Sequence, residues 1–301
     1  MGNRRFLKFP SILYIEPTND CNLNCIMCAR KKSRKEIGYM SLDLYRNIVD
    51  QLSGQKISQL TLHLTGEPLL HPGITEMIRY AKDKGLPYVR FATNATLLND
   101  ELARNLIDSG LDSLTVSMDS LIAGTYCPAQ KRDEVFAKLD ENIRHLLEIR
   151  NRKNRKHPEV IMQIIDMEKT RDLMSEFVKK WRGIADHVTV KKLLSWGGQI
   201  RIHERRSPNR LICINHLTQG VVHWDGAVSF CCLYIDSHGN SDGMLGNAAQ
   251  TPLQDIFLGE KRQQIIETHL RGNYDSFPYC KKCPDWDDLL DYVRNKEKTQ
   301  L

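Results

Sequence analysis

Residues 12–28 read ILYIEPTNDCNLNCIMC. An apolar, β-branched run gives way after Pro17 to a polar loop that holds Cys21, Cys25 and Cys28 within eight residues. Composition and length make the run a strand, so three thiolates stand together just beyond a strand's carboxyl end. Three such ligands suit a cubane iron–sulfur cluster that leaves one iron open, whereas a structural zinc wants a fourth ligand close by. No His or Cys occurs within thirty residues after Cys28.

Outward from this segment, short apolar runs alternate with amphipathic stretches to about residue 195. Strands are expected near 12–17, 58–64, 87–93, 113–118, 159–165 and 187–193. Helices are expected near 41–53 after the cap Ser41, and near 73–84, 99–109, 133–150 and 170–182, with Gly85, Gly110 and Gly183 as stops. Repeated βα units of this kind predict an α/β fold, a partial (β/α)6 TIM-like barrel, with its chemistry at the carboxyl ends of the strands. The period breaks after Trp196-Gly197-Gly198. From there to about residue 283 the chain is rich in Gly, Asn, Asp and Cys and is expected to be poor in helices, with Asp225-Gly226 turning a hairpin. The expected division is a barrel over 1–200 and a small Cys-rich domain with a C-terminal helix over 201–301.

Bulk properties narrow the function. The chain has 301 residues, 41% hydrophobic and 27% charged, as in an ordinary globular protein. No stretch approaches the roughly 18 apolar residues of a membrane helix, and no small-residue cleavage site comes after the N-terminal charges; a cytoplasmic protein without membrane attachment is expected. Much of the net charge of +6 comes from the runs 30–35 and 150–156. These runs read as solvated loops or helix ends, because no aromatic residues interleave with them as nucleic-acid stacking would require. Nine cysteines in such a chain argue for metal ligation over a disulfide framework. A second group joins Cys213, Cys231, Cys280 and Cys283, enough thiolates to close a cubane cluster or to hold zinc. Cys127 and Cys232 are left over, and Cys232 competes with Cys231 for the ligand role.

The spacing Cys21-x3-Cys25-x2-Cys28 resembles the signature of the radical S-adenosylmethionine superfamily. The resemblance implies that the open iron binds S-adenosylmethionine and that one electron cleaves it to methionine and a 5′-deoxyadenosyl radical. Met27 matches a position packed near the adenine. Thr65-Gly66-Glu67-Pro68 resembles the family's Gly-Gly-Glu motif, which holds the methionine ammonium, with Thr65 in place of the first glycine. Asn94, Ser117 and Asp119 match strand ends that contact the ligand's carboxylate and ribose, and Leu193 helps to shape the adenine pocket. The later cysteines resemble the auxiliary-cluster domain called SPASM or twitch, with enough ligands for one cluster, in a pattern similar to the butirosin-pathway dehydrogenase and related to aminoglycoside epimerases. Two 4Fe-4S clusters and a reductant such as flavodoxin or ferredoxin are implied.

The implied reaction is hydrogen abstraction from a hydroxylated small molecule, a sugar, aminoglycoside or aminocyclitol, ending in dehydrogenation or epimerisation. Cys127 or Cys232 would return hydrogen in an epimerase, and Asp119, Asp166 or Glu168 would serve as base. A radical peptide maturase or epimerase is the rival within the same chemistry, and a non-catalytic iron–sulfur or zinc regulator the rival outside it.

Overall fold

The computed structural model describes residues 8–118, 129–202, 213–235 and 243–287. Its six leading strands are β1 (Ile12–Ile15), β2 (Gln59–Thr61), β3 (Val89–Thr93), β4 (Ser113–Ser117), β5 (Glu159–Asp166) and β6 (His187–Lys192). They pair in parallel, each beside its predecessor. The intervening helices are α1 (Leu42–Asp50), α2 (Ile74–Asp83), α3 (Asp100–Asp108), α4 (Ala129–Arg152) and α5 (Met174–Trp181).

Local chemistry sets these boundaries. Ser41 and Asn99 cap α1 and α3, their side chains accepting from Leu44 N at 3.2 Å and Leu102 N at 2.8 Å. Gly85 and Gly110, at φ 80° and 83°, turn the chain out of α2 and α3 in a conformation that a Cβ would resist. Along β3, Val89, Phe91 and Thr93 are buried while Arg90 and Ala92 are half-buried. Val89 and Phe91 pack under the helices, with Tyr45, Ile48, Ile74, Met77, Leu106 and Trp181 in one continuous core. Burying each such side chain contributes about 1.5–3 kcal/mol. The alternate residues face the opposite side of the sheet, where Ala92 lines the site's cavity.

Beyond residue 213 the chain returns to the same sheet. β7 (Gln219–Val222) lies parallel to β1, with Ile12 opposite Gln219 and Ile15 opposite Val222. The Asp225-Gly226 turn then folds β8 (Ala227–Ser229) and β9 (Met244–Asn247) back as antiparallel strands. The sheet therefore has nine strands in the order β6-β5-β4-β3-β2-β1-β7-β8-β9.

The expectation of a helix-poor Cys-rich segment is corrected. Leu253–Phe257 and Glu260–Leu270 are helices. They begin after the breakers Pro252 and Gly259, and bury Leu253, Ile256 and Phe257 in one and Ile265 and Ile266 in the other. The expected C-terminal helix beyond Asp287 lies outside the described residues. Among the described residues no helix is long and apolar enough to cross a membrane.

Candidate functional site

The loop after β1 is held by its own polar groups. Thr18 Oγ1 donates to Gly38 O at 2.7 Å, Asp20 Oδ1 accepts from Cys21 N at 2.8 Å, and Cys28 N donates to Cys25 O at 3.1 Å. The loop thus presents Cys21, Cys25 and Cys28 to one cavity of about 610 Å³, within the range of small-molecule sites. Met27, Gly66, Glu67, Asn94, Ser117 and Leu193 line the same cavity. Burial pushes the Cys21 and Cys28 thiols upward, the nearby Arg30 guanidinium pulling the other way. A bound cation would relieve these half-buried thiols of their protons, and with three sulfur donors lining the cavity they fit a cluster that keeps one iron open.

The other residues expected here are held by distinct contacts. Thr65 N and its hydroxyl both donate to Glu16 Oε1. Glu67 is buried, and its carboxylate accepts from Leu69 N at 3.1 Å, Thr93 Oγ1 at 2.6 Å and Asn94 N at 2.8 Å. It ties the second strand's loop to the third strand's end, and burial raises its pKa against those three donors. Asn94 Nδ2 donates to Asn22 Oδ1 at 2.9 Å, joining the same strand end to the cysteine loop. Ser117 accepts from Gln163 Nε2 at 3.2 Å. Asp166 lines a neighbouring cavity of about 700 Å³ with Glu168, and Arg171 pairs with it at 3.4 Å. Asp119 and Cys127 lie outside the described residues.

Sequence reading passed over Tyr14, His63, Gln163 and Gln219, which also line the thiol-bearing cavity. Their signal was the two-residue strand period, usable only once the inward face is known. His63 Nδ1 accepts from Ala92 N at 2.9 Å, and burial together with Arg90 lowers its pKa to about 3. The ring is therefore neutral with its proton on Nε2. Trp196 closes one wall, its indole N–H donating to Met27 O at 3.0 Å.

Cys213, Cys231, Cys280 and Cys283 line a second, smaller cavity with His216 and Asp285. Burial pushes the Cys283 thiol up, and Asp285, Cys231 and Cys213 push it further. Four converging sulfurs whose ionised forms repel one another fit a metal centre closed by thiolates. Cys280 also belongs to a triple with His216 and His269 whose ligand atoms lie within 4.8 Å of one another. Asp285, unmarked by any motif, accepts from Ser195 N and Ser195 Oγ at 2.8 Å and so fastens the loop after β6 to this centre. Cys232 is half-buried and hydrogen-bonds to the Cys231 thiol.

The chain is similar to known proteins. A model described as the radical SAM superfamily matches residues 15–174, and one described as an iron-sulfur cluster-binding domain matches residues 213–284. A curated relative from Pyrococcus furiosus, a tungsten-containing aldehyde ferredoxin oxidoreductase cofactor-modifying protein, is 38% identical over 112 residues, 36% of this chain and 31% of that protein. An AdoMet-dependent heme synthase from Methanosarcina barkeri is 36% identical over 119 residues, 39% of this chain and 33% of that one. The chain thus spans about a third of these relatives' length. The crystal structure of BtrN with AdoMet and 2-DOIA superposes with a TM-score of 0.60 at 19% identity, covering 92% of this chain and 93% of that one. SuiB of Streptococcus suis bound to its precursor peptide superposes at 0.67 and 15% identity, covering 93% and 71%.

Proposed function

Because the chain belongs to the radical SAM superfamily and carries the iron-sulfur cluster-binding domain, we propose that it abstracts a hydrogen atom from a C–H bond of a hydroxylated small molecule, a sugar, aminoglycoside or aminocyclitol, and oxidises the carbinol. The observation that carries this reading is the polar lining of the thiol-bearing cavity, to which Tyr14, His63, Ser117, Gln163 and Gln219 contribute from five strand regions. Hydroxyl-rich substrates need such donors and acceptors, because a buried hydroxyl without a partner costs about 1–3 kcal/mol.

Membership supports an enzyme over the non-catalytic regulator. When bound, a cluster held by Cys21, Cys25 and Cys28 would with S-adenosylmethionine supply a 5′-deoxyadenosyl radical, and one held by Cys213, Cys231, Cys280 and Cys283 would supply an electron acceptor. The protein's own residues do the rest. Gly66, Glu67, Asn94 and Ser117 fix the methionine and ribose ends, while Met27 and Leu193 pack the adenine. His63 Nε2–H donates to a substrate oxygen and cannot act as base, since its other nitrogen is filled by Ala92 N–H. Asp166 stands in the adjoining cavity, which shares Met27, Lys192 and Leu193 with the first, and is the carboxylate proposed to take the hydroxyl proton.

A second reading, epimerisation, is favoured by one observation: the Cys232 thiol interacts electrostatically with Tyr14, a residue of the cavity wall. The test is anaerobic reconstitution with dithionite or a flavodoxin or ferredoxin reductant, S-adenosylmethionine and a panel of aminocyclitols and sugars in deuterated water. Ketone without solvent deuterium in the carbon skeleton is expected. Deuterium at an inverted carbon, lost in Cys232→Ala, would replace oxidation by epimerisation, and a protein with intact clusters that forms no 5′-deoxyadenosine would overturn the radical reading.

A further inference from the structure

A buried chain of hydrogen bonds runs from the loop that begins at Thr65 to the carbonyl of Cys231 through Glu16, His223 and Ser229, which no motif marks. The register that sets Ile15 opposite Val222 leaves the next residues, Glu16 and His223, side by side, and Glu16 N donates to Val222 O at 2.9 Å. Both side chains are buried, at 1% and 5% exposure. Glu16 Oε2 and His223 Nδ1 lie 3.1 Å apart, and His223 Nε2 lies 3.0 Å from Ser229 Oγ. Ser229 Oγ in turn donates to the carbonyl of Cys231 at 3.2 Å. At the other end, Glu16 Oε1 accepts from both the backbone N–H and the hydroxyl of Thr65.

Thr65 is where the sequence departs from the Gly-Gly-Glu pattern, and its hydroxyl is spent on Glu16. A glycine there would offer Glu16 the backbone N–H alone. Burial drives the Glu16 carboxyl up, but the bond and charge of His223, the Thr65 hydroxyl and Lys35 overcome it and hold Glu16 ionised. Lys35 also pairs with Asp225 at 3.0 Å, so the hairpin turn is fastened to the loop after β1 by a second contact.

We propose that Glu16 and His223 are positioning residues for S-adenosylmethionine, a strut that fixes the Thr65–Glu67 loop from the hairpin leading to Cys231. This rests on the reading that the loop holds the ligand's methionine end. The strut touches no reacting atom; it acts through Thr65.

The test uses reconstituted holoenzyme with three substitutions. His223→Phe removes both ring bonds, His223→Asn keeps a donor at the Nδ1 position facing Glu16, and His223→Gln keeps one at the Nε2 position facing Ser229. S-adenosylmethionine affinity is read by equilibrium dialysis, and the two clusters by iron content and by the electron paramagnetic resonance of the reduced protein. His223→Phe and His223→Gln are expected to weaken S-adenosylmethionine binding about tenfold, with His223→Asn within about threefold of wild type and iron unchanged in all. Where His223→Phe fails to fold, the Asn and Gln pair carries the comparison. Equal affinities for Asn and Gln would overturn the proposal, as would a loss of iron that accounts for the weakened binding. If wild-type protein with both clusters binds no S-adenosylmethionine, the reading of the loop fails instead, so the two failures are distinct.

Discussion

Replacing Gly66 by alanine would press a methyl group into the loop that carries the first three cysteines. An ideal Cβ on Gly66 lies 2.0 Å from Thr18 O, 2.6 Å from Asp20 O and 2.7 Å from the Thr18 carbonyl carbon. Unstrained contacts between heavy atoms lie nearer roughly 3.5 Å, so the two loops must part by an ångström or more. All three obstructing atoms are backbone, and no flexible side chain can give way. Parting them also pulls on Glu67 N, which donates to Asp20 O at 2.7 Å. Overpacking of this kind costs about 1–3 kcal/mol, or about 5- to 150-fold in an equilibrium constant.

The strain has two outlets, and each has its own signature. If the loops separate, S-adenosylmethionine affinity falls by that factor while the thermal midpoint holds; if they stay together, the midpoint falls and affinity holds. Equilibrium dialysis and a circular dichroism melt on anaerobically reconstituted Gly66→Ala protein measure both. Affinity within twofold of wild type together with an unchanged midpoint would refute the argument.

The same geometry makes other perturbations informative. Cys25→Ala or Cys28→Ala is expected to abolish 5′-deoxyadenosine formation and to halve iron from about eight to about four atoms per chain, since two cubane clusters are implied; iron and sulfide analysis with product chromatography checks it. Cys280→Ser should cause a similar iron loss yet leave substrate-free S-adenosylmethionine cleavage within a few-fold of wild type, because the second centre sits in a cavity of its own; cleavage lost in parallel with iron would contradict that separation. For His63, with pKa lowered to about 3 by burial and Arg90, the unfolded chain binds a proton below about pH 6.5 that the folded one refuses. Stability is therefore full above that value and falls as pH drops toward 3. Between pH 7.5 and 5.5 the wild type should lose about 1.4 kcal/mol more than His63→Gln in urea titrations; equal losses would show the ring to be solvated.

The strands and helices of the barrel were legible because each declares itself within a short window. ILYIEP at β1, Ser41 ahead of α1 and Gly85 after α2 need only their neighbours to be read. The three-cysteine nest is legible for the same reason. The hidden features depend on pairing across long sequence distances. Tyr14 on β1 and His63, two residues past the end of β2, reach the cavity on a face that composition does not reveal. Asp285 acquires its role from Ser195, ninety residues earlier. The helix at Glu260–Leu270 was obscured by the Gly- and Cys-rich sequence on either side of it.

The pairing of β7 with β1 explains why so much of the site escapes local reading and yet forms a unit. Two parallel neighbours end at the same edge of a sheet, so the segments leaving them are delivered to the same place. After β1 comes Glu16 and then the cysteine loop; after β7 come His223, the tight turn and, nine residues past Val222, Cys231. A shift of one residue in that register would turn His223 to the other face of the sheet and take from the buried Glu16 carboxylate its His223 partner. A buried charge that loses its partner costs about 3–5 kcal/mol, so the Glu16–His223 contact penalises the wrong register alongside the apolar residues around it. The Glu16 and His223 contact, across 207 residues of sequence, thus specifies how the second cysteine centre is mounted on the barrel.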